Sequence, residues 1–275
     1  MLRPPEPVLV VDLFPAERRA LLDLLESLAP DDCFRVTSAG EWTVKDVAAH
    51  LVADDLGRVS SQRDGHSQPW VPAEEPLKAY IDRRNAQWVT TMRRLSPTIV
   101  RSLLEFSGDE TQRLFESIDP FALGWRVSWV GPDPAPNWLD IAREFTERWH
   151  HQQQIREAVG APLLNEPAFL RPVLATFAFA LVPPYRDLEA PAGTTVQFSV
   201  QGTSGGERAV IRESGGWSLR VGRADSPTAS VSMDEDCAWR MYVRSLSREE
   251  VAGRSTFEGD VALARRLLEA FALVS

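Results

Sequence analysis

The chain has 275 residues, 44% of them hydrophobic and 25% charged, and a formal net charge of −9. That length predicts two domains, each able to bury a core of its own. The acidic balance gives no electrostatic reason to seek nucleic acid or an anionic membrane, so small molecules are the expected partners. Lys45 and Lys78 are the only lysines, and arginine carries the rest of the positive charge. Cys33 and Cys237 are too few and too far apart for a disulfide framework and fit no CxxC pattern. Both read as buried thiols in a reducing cytoplasm. The apolar stretch near the N-terminus is broken by Pro and Asp and is too short for a signal h-region. No run approaches membrane-spanning length, which predicts a cytoplasmic protein.

Pro15 to Leu28 is the first predicted helix, with Leu21, Leu25 and Leu28 at helical spacing. A second starts behind Thr43, an N-cap with Asp46 three residues on, while Trp42 and Val47 hold the hydrophobic-staple positions. After the polar loop "RDGHSQPWVPAEEP", a third helix opens behind Pro76 and closes before Pro97. A shorter helical stretch follows near "SPTIVRSLLEFSG". Asn137, with Asp140 three residues on, caps "WLDIAREFTERWHHQQQIREAVG", which Gly160 stops. Long amphipathic helices without a credible strand predict a helical bundle for residues 1–163.

Beyond that point the pattern changes. "PAFLRPVLATFAFALVPP" is one more apolar helix, ended by Pro183 and Pro184. "TTVQFSV", "RAVIRES", "WSLRVG" and "ASVSM" are short β-branched or alternating runs between glycine-rich turns, hence strands. Two helical segments, "EDCAWRMYVRSL" and "VALARRLLEAFAL", complete an α+β domain over residues 164–275.

The chemistry concentrates in "ERWHHQQQIREA". At 100° per residue, Ile141, Phe145, Ile155 and Val159 define the buried face of that helix. Glu147 and His151, four apart, stack at its edge, and His150 points away. On the second helix Val44, Val47 and Leu51 define the buried face, with His50 at its edge and Asp54 one turn later. His50, Glu147 and His151 together are a His₂Glu set, of the kind that holds catalytic zinc with one position open for water or substrate. Imidazole and carboxylate also suit Ni²⁺, Fe²⁺ or Mn²⁺. Asp54, Glu144 and Gln154 are candidates to support the ligands from behind, since a ligating imidazole commonly gives its other N–H to a carboxylate or carbonyl. The plainer reading of Glu147 and His151 is an ordinary i,i+4 surface pair. His66, beside Gly65, reads as a solvated loop residue.

"WTVKDVAAHL", followed by "EFTERWHHQQQIREAVG", resembles the maleylpyruvate-isomerase-like branch of the DinB superfamily, as does "RRNAQWVTTMRRLSP". The likeness covers roughly residues 10 to 163. It implies an N-terminal DinB-like four-helix bundle that binds a divalent metal, usually zinc, with His50, Glu147 and His151 on the three ligand positions. "STFEGDVALARRLLEAFAL" is similar to the smaller α+β, sterol-carrier-like domain that follows the bundle in these isomerases. The family often has Asp where this chain has Gln154. It also uses an arginine of the C-terminal domain, for which Arg220, Arg223, Arg265 and Arg266 are the candidates, each with a solvated surface residue as the plainer alternative.

The resemblance implies mycothiol, the low-molecular-weight thiol of actinobacteria, as cosubstrate. A metal-bound thiol is held as its thiolate and becomes a ready nucleophile for S-transfer to a small electrophile, or for reversible addition that gives cis–trans isomerisation. Two other readings stay open. One is a non-catalytic carrier of a small hydrophobic ligand in an apolar C-terminal cavity, with a structural or vestigial metal. The other is a metal-dependent hydrolase with Glu144 or Asp54 as general base.

Overall fold

The computed structural model describes residues 1–66 and 76–272. The rest of the expected loop before the third helix, and the last residue of the expected terminal helix, lie outside the described residues. The chain is α+β, with helices in its first part and a mixed sheet in its second. Its contacts divide it into two compact units, a helical one of Val10–Pro120 with Glu147–Leu164, and one of Met1–Leu9, Phe121–Thr146 and the chain from Asn165 onward.

In the helical unit, α1 (Phe14–Ser27), α2 (Val44–Arg58), α3 (Leu77–Met92), α4 (Pro97–Ser117) and the end of α5 (Asn137–Val159) share one core, to which Leu21, Val47, Leu51, Met92, Leu104 and Ile155 belong. The start of α2 is pinned as its sequence predicts. Thr43 Oγ1 accepts from the Asp46 amide at 3.3 Å, and the Asp46 carboxylate accepts from the Thr43 amide at 3.1 Å. Asp46 also takes a bidentate grip from Arg93, just past the end of α3, at 2.9 and 3.0 Å. We expect Thr43→Ala to lower stability by about 1 kcal/mol, read as a shifted urea midpoint at constant slope. An unchanged midpoint would show that the Arg93–Asp46 pair fixes this end unaided.

Two helices differ from expectation. The stretch predicted as short is α4, which runs 21 residues and passes through Gly108. A Cβ at position 108 would lie 3.1 Å from the Arg18 side chain, so glycine lets Arg18 cross α4 closely enough to reach the Leu104 carbonyl at 3.0 Å. The second is α5, which is not simply amphipathic: every residue from Arg148 to Ile155 is buried. Its polar side chains find partners inside. Gln152 donates to Glu17 Oε1 at 2.7 Å, while Gln153 exchanges hydrogen bonds with the Leu164 backbone at 2.9 and 3.3 Å. Gly160, at φ +70°, then turns the chain, and the Ala161 amide donates to the Arg156 carbonyl at 2.9 Å.

In the sheet-bearing unit, β1 (Thr195–Gln201), β2 (Gly206–Glu213), β3 (Gly216–Val221), β4 (Ala229–Asp234) and β5 (Thr256–Gly259) lie in the order β3-β2-β1-β4-β5. Neighbours are antiparallel except β1 and β4, which pair in parallel with Phe198 opposite Val231. Four of these strands match the predicted runs. β5 was expected to be only a connection, because four residues carrying a single large apolar side chain give too little alternation to read. Arg3 exchanges backbone hydrogen bonds with Val221 at 2.8 and 3.0 Å and so covers part of the outer edge of β3.

The apolar helix expected to end at the Pro183–Pro184 pair is α6 (Pro167–Phe177) followed by two 3₁₀ turns. Contrary to the length argument from sequence, Pro167–Tyr185 is 19 residues with a mean hydropathy of 1.3, long and apolar enough to cross a membrane. Half of it is buried within the fold, and Phe177 packs on Tyr242 with ring centroids 5.4 Å apart, as a core segment does. α7 (Glu235–Tyr242) is followed by the short α8 (Arg248–Gly253), which was not anticipated. α9 (Val261–Arg265) is shorter than predicted and passes into a 3₁₀ turn ending at Glu269.

Candidate metal centre

Three potential metal ligands converge inside the helical unit. One donor atom each from His50, Glu147 and His151 lies within 4.8 Å of the others. α2 delivers His50 two turns beyond its fixed N-cap, and α5 delivers the other pair one turn apart. His151 Nε2 stands 3.2 Å from Glu147 Oε1, and the imidazoles of His50 and His151 meet edge to face with centroids 4.7 Å apart. Trp42 packs against His50, its ring 5.1 Å from that imidazole. Both histidines are buried, whereas Glu147 is partly exposed.

The network behind these groups sets their proton positions. His151 Nδ1–H donates to Gln154 Oε1 at 2.8 Å, and the amide of the same glutamine donates to His150 Nε2 at 3.0 Å. His151 Nε2 is thereby the nitrogen presented towards Glu147. Burial, the largest influence on His151, pulls its pKa down, but the hydrogen bond and charge of Glu147, aided by Gln154, outweigh it and hold the group above its ordinary value. Burial dominates at His50 and keeps it below its ordinary value despite the attraction of Asp54. His50 Nδ1 is buried without a hydrogen-bond partner. A buried ring nitrogen without a partner is costly.

These residues fit a divalent cation by donor chemistry. Two imidazoles and a carboxylate are the ligands of catalytic zinc, and their donor atoms lie within 4.8 Å of one another. Ligands of a tetrahedral ion with bonds of about 2.1 Å stand roughly 3.4 Å apart, a spacing that the Glu147–His151 pair already has.

The expected supporting residues are placed differently from one another. Gln154 orients His151, as described. Asp54 Oδ2 lies 3.7 Å from His50 Nε2, an electrostatic neighbour rather than a hydrogen-bond acceptor. Glu144 is buried and ion-paired with Arg143. His150, predicted to face outward, is buried, because the unit packs around the whole turn, and its Nε2 accepts from the Gln154 amide. His66 is exposed, as its loop position suggested.

Two contributors escaped the sequence reading. Asp55 and Arg148, the latter between the two ligands of α5, form a fully buried pair at 2.6 Å, and Arg18 joins Asp55 from α1 at 2.7 Å. The pair ties α5 to α2 beside the converging candidate ligands. Charges at core phases of two helices were the available signal.

The four candidate arginines are scattered in their engagements. Arg220 pairs with Glu213, Arg265 lies 5.0 Å from the centre of the Phe257 ring, and Arg266 donates to the Pro184 carbonyl at 3.1 and 3.2 Å. Arg223 is exposed, with no hydrogen bond or ion pair among the described residues.

Comparison with known proteins bears on the fold and the family. The structure is similar to that of the mycothiol-dependent maleylpyruvate isomerase at 13% identity and TM-score 0.51, covering 84% of this chain and 86% of the other. A histidine-to-alanine point mutant of that isomerase matches over the same shares at 12% identity and TM-score 0.51. A UbiJ-SCP2 ubiquinone synthesis protein aligns over 34% of this chain and 74% of its own at 14% identity and a TM-score of 0.23, too slight a likeness to support an argument. A search of curated proteins gives no match. The model of the mycothiol maleylpyruvate isomerase N-terminal domain matches residues 14–156, more than half of the chain, and the chain belongs to that family.

Proposed function

We propose that this protein is a metal-dependent enzyme that activates mycothiol for isomerisation of, or S-transfer to, a small electrophilic substrate. The observation that carries this reading is the convergence of His50, Glu147 and His151 in a member of this family. The bundle of residues 1–163 holds the metal in this proposal, zinc first among the candidates, and residues 164–275 form the second domain. Cytoplasmic location follows from the need for a reduced thiol.

When bound, the metal supplies the positive charge that keeps a thiol deprotonated at neutral pH. The chain does the rest. Gln154 holds the Nδ1 proton of His151, so Nε2 is the donor nitrogen. Trp42 and the surrounding core keep water from His50.

One C-terminal cavity gives the carrier reading no support. The cavity lined by Leu174, Phe198, Arg208 and Tyr242 in the C-terminal part of the chain holds about 10 Å³, room for a water and not for a hydrophobic ligand. The hydrolase reading loses one of its bases, since the Glu144 carboxylate is engaged by Arg143.

The direct test is turnover. Zinc-reconstituted protein with mycothiol should convert maleylpyruvate, or another cis-unsaturated acid, to its trans isomer, and neither His151→Ala protein nor a reaction lacking mycothiol should do so. Absence of mycothiol-dependent chemistry across a panel of unsaturated acids and alkylating electrophiles would overturn the proposal.

A further inference from the structure

A second cavity lies in the helical unit, walled by α1, α2, α4 and the turn between α1 and α2. Its volume is about 270 Å³, and Leu28, Val44, Ala48 and Val100 are among its apolar walls. Residues 44, 45 and 48 sit roughly 120–160° around α2 from His50 at 100° per residue, so this cavity opens on the other side of that helix from the metal ligands.

Its polar lining is cationic on balance. Arg101 and Glu26 pair across it at 3.4 Å, which leaves Lys45. The Lys45 side chain is buried, with 8% of the residue exposed, yet its ammonium makes one hydrogen bond, to the Arg93 carbonyl at 2.9 Å. The Phe34 ring centre is 5.9 Å away, and no carboxylate among the described residues lies within 4.0 Å of it. An ammonium has three N–H groups, and its charge is expensive to bury without an anion. Lys45 thus brings an ammonium without an ion-pair partner among the described residues to an otherwise largely apolar wall.

We propose that the cavity is a binding site for a small organic monocarboxylate, its carboxylate on Lys45 and its hydrocarbon or aryl body against Ala48 and Val100. A cavity of roughly 150 Å³ accommodates benzene, so this larger one suits a body of about ten to twelve non-hydrogen atoms. The proposal is independent of the metal reading, since it uses none of the same side chains.

The probes are 4-phenylbutyrate and its neutral counterpart 4-phenylbutan-1-ol, titrated calorimetrically into the full-length protein. Cys33 also lines the cavity and provides a second readout, because an occupant should slow its alkylation by iodoacetamide, with the fully buried Cys237 as internal reference. The acid should bind at least about ten-fold more tightly than the alcohol, the worth of one charge-assisted hydrogen bond, and should protect Cys33. Lys45→Met should erase the preference while the alcohol still binds, and Ala48→Phe should remove both ligands by filling the space. Equal affinity for acid and alcohol overturns the proposal, as does failure of the acid to bind at millimolar concentration. Binding that leaves Cys33 alkylation unchanged, or that survives Ala48→Phe, places the ligand elsewhere and overturns it too.

Discussion

Protein reconstituted with zinc and then desalted should keep one metal ion per chain, and His50→Ala or His151→Ala should lose it. The expectation rests on the donor set, two imidazoles and a carboxylate whose donor atoms lie within 4.8 Å of one another. Removing a partner behind a ligand typically costs 10–100-fold in metal affinity, so Gln154→Leu, which frees the Nδ1 proton of His151, should fall in about that range. Removal of a ligand should cost more than about 100-fold. His150→Ala serves as the contrast: it takes a buried imidazole from Gln154 without taking a ligand, so its loss should be smaller than that of His151→Ala. Metal analysis of the four variants beside wild type, with circular dichroism to verify folding, decides the matter. A wild type that takes up no zinc would remove the metal from the proposed chemistry, and equal losses in His150→Ala and His151→Ala would show a turn of helix that acts only through folding.

The convergence of the three candidate ligands follows from the sequence because they sit on helices with well-marked starts. Thr43 and Asp46 announce where α2 begins, so the phase of His50 follows, and the i,i+4 spacing of Glu147 and His151 needs no tertiary information. The burial of His150 was not legible, because periodicity assumes that polar side chains face water. Here Gln152, Gln153 and Gln154 spend their hydrogen bonds on Glu17, Leu164 and the two histidines, so a polar run is compatible with the interior. The extent of α4 was hidden for a related reason. Gly108 looks like a helix stop in isolation, and its purpose is visible only when Arg18 from α1 is seen lying against it. Strand β5 and helix α8 are too short for a periodic signal, and their places are set by pairing with β4 and by the Ser247–Glu250 capping box.

Asp55→Ala should cost about 3–5 kcal/mol of unfolding free energy, the largest stability effect of any single substitution considered. The carboxylate is fully buried between Arg18 and Arg148 and also accepts from the Ser107 hydroxyl at 2.9 Å. Its removal leaves two guanidinium groups without their common anion, one of them in the core. The attraction itself is not what the number measures: replacing Arg18, Asp55 and Arg148 together by Met, Leu and Met should restore most of the stability, since an apolar trio avoids the desolvation cost. If the ion pair holds α5 in register with α2, that triple variant should still bind zinc more weakly than wild type, whereas a purely energetic role would leave metal affinity intact. Acid titration gives a further check. Burial opposes ionisation of Asp55 most strongly, but Arg18 and Arg148 together overcome it and hold its pKa below the ordinary carboxylate value. Its contribution is therefore present above the unfolded-state pKa and is lost as pH falls through the folded one, a loss that Asp55→Ala should not show. Glu17 has the opposite sign, because burial raises its pKa above 4.5 despite nearby Arg18 and its hydrogen bond from Gln152. Its contribution is full below the unfolded-state pKa and declines as pH rises through the folded one, so Glu17→Gln should lift stability at neutral pH relative to acid. Chemical denaturation across the acid and neutral range would separate the two carboxyls, and a profile unchanged by either substitution would show that neither titrates as the buried network requires.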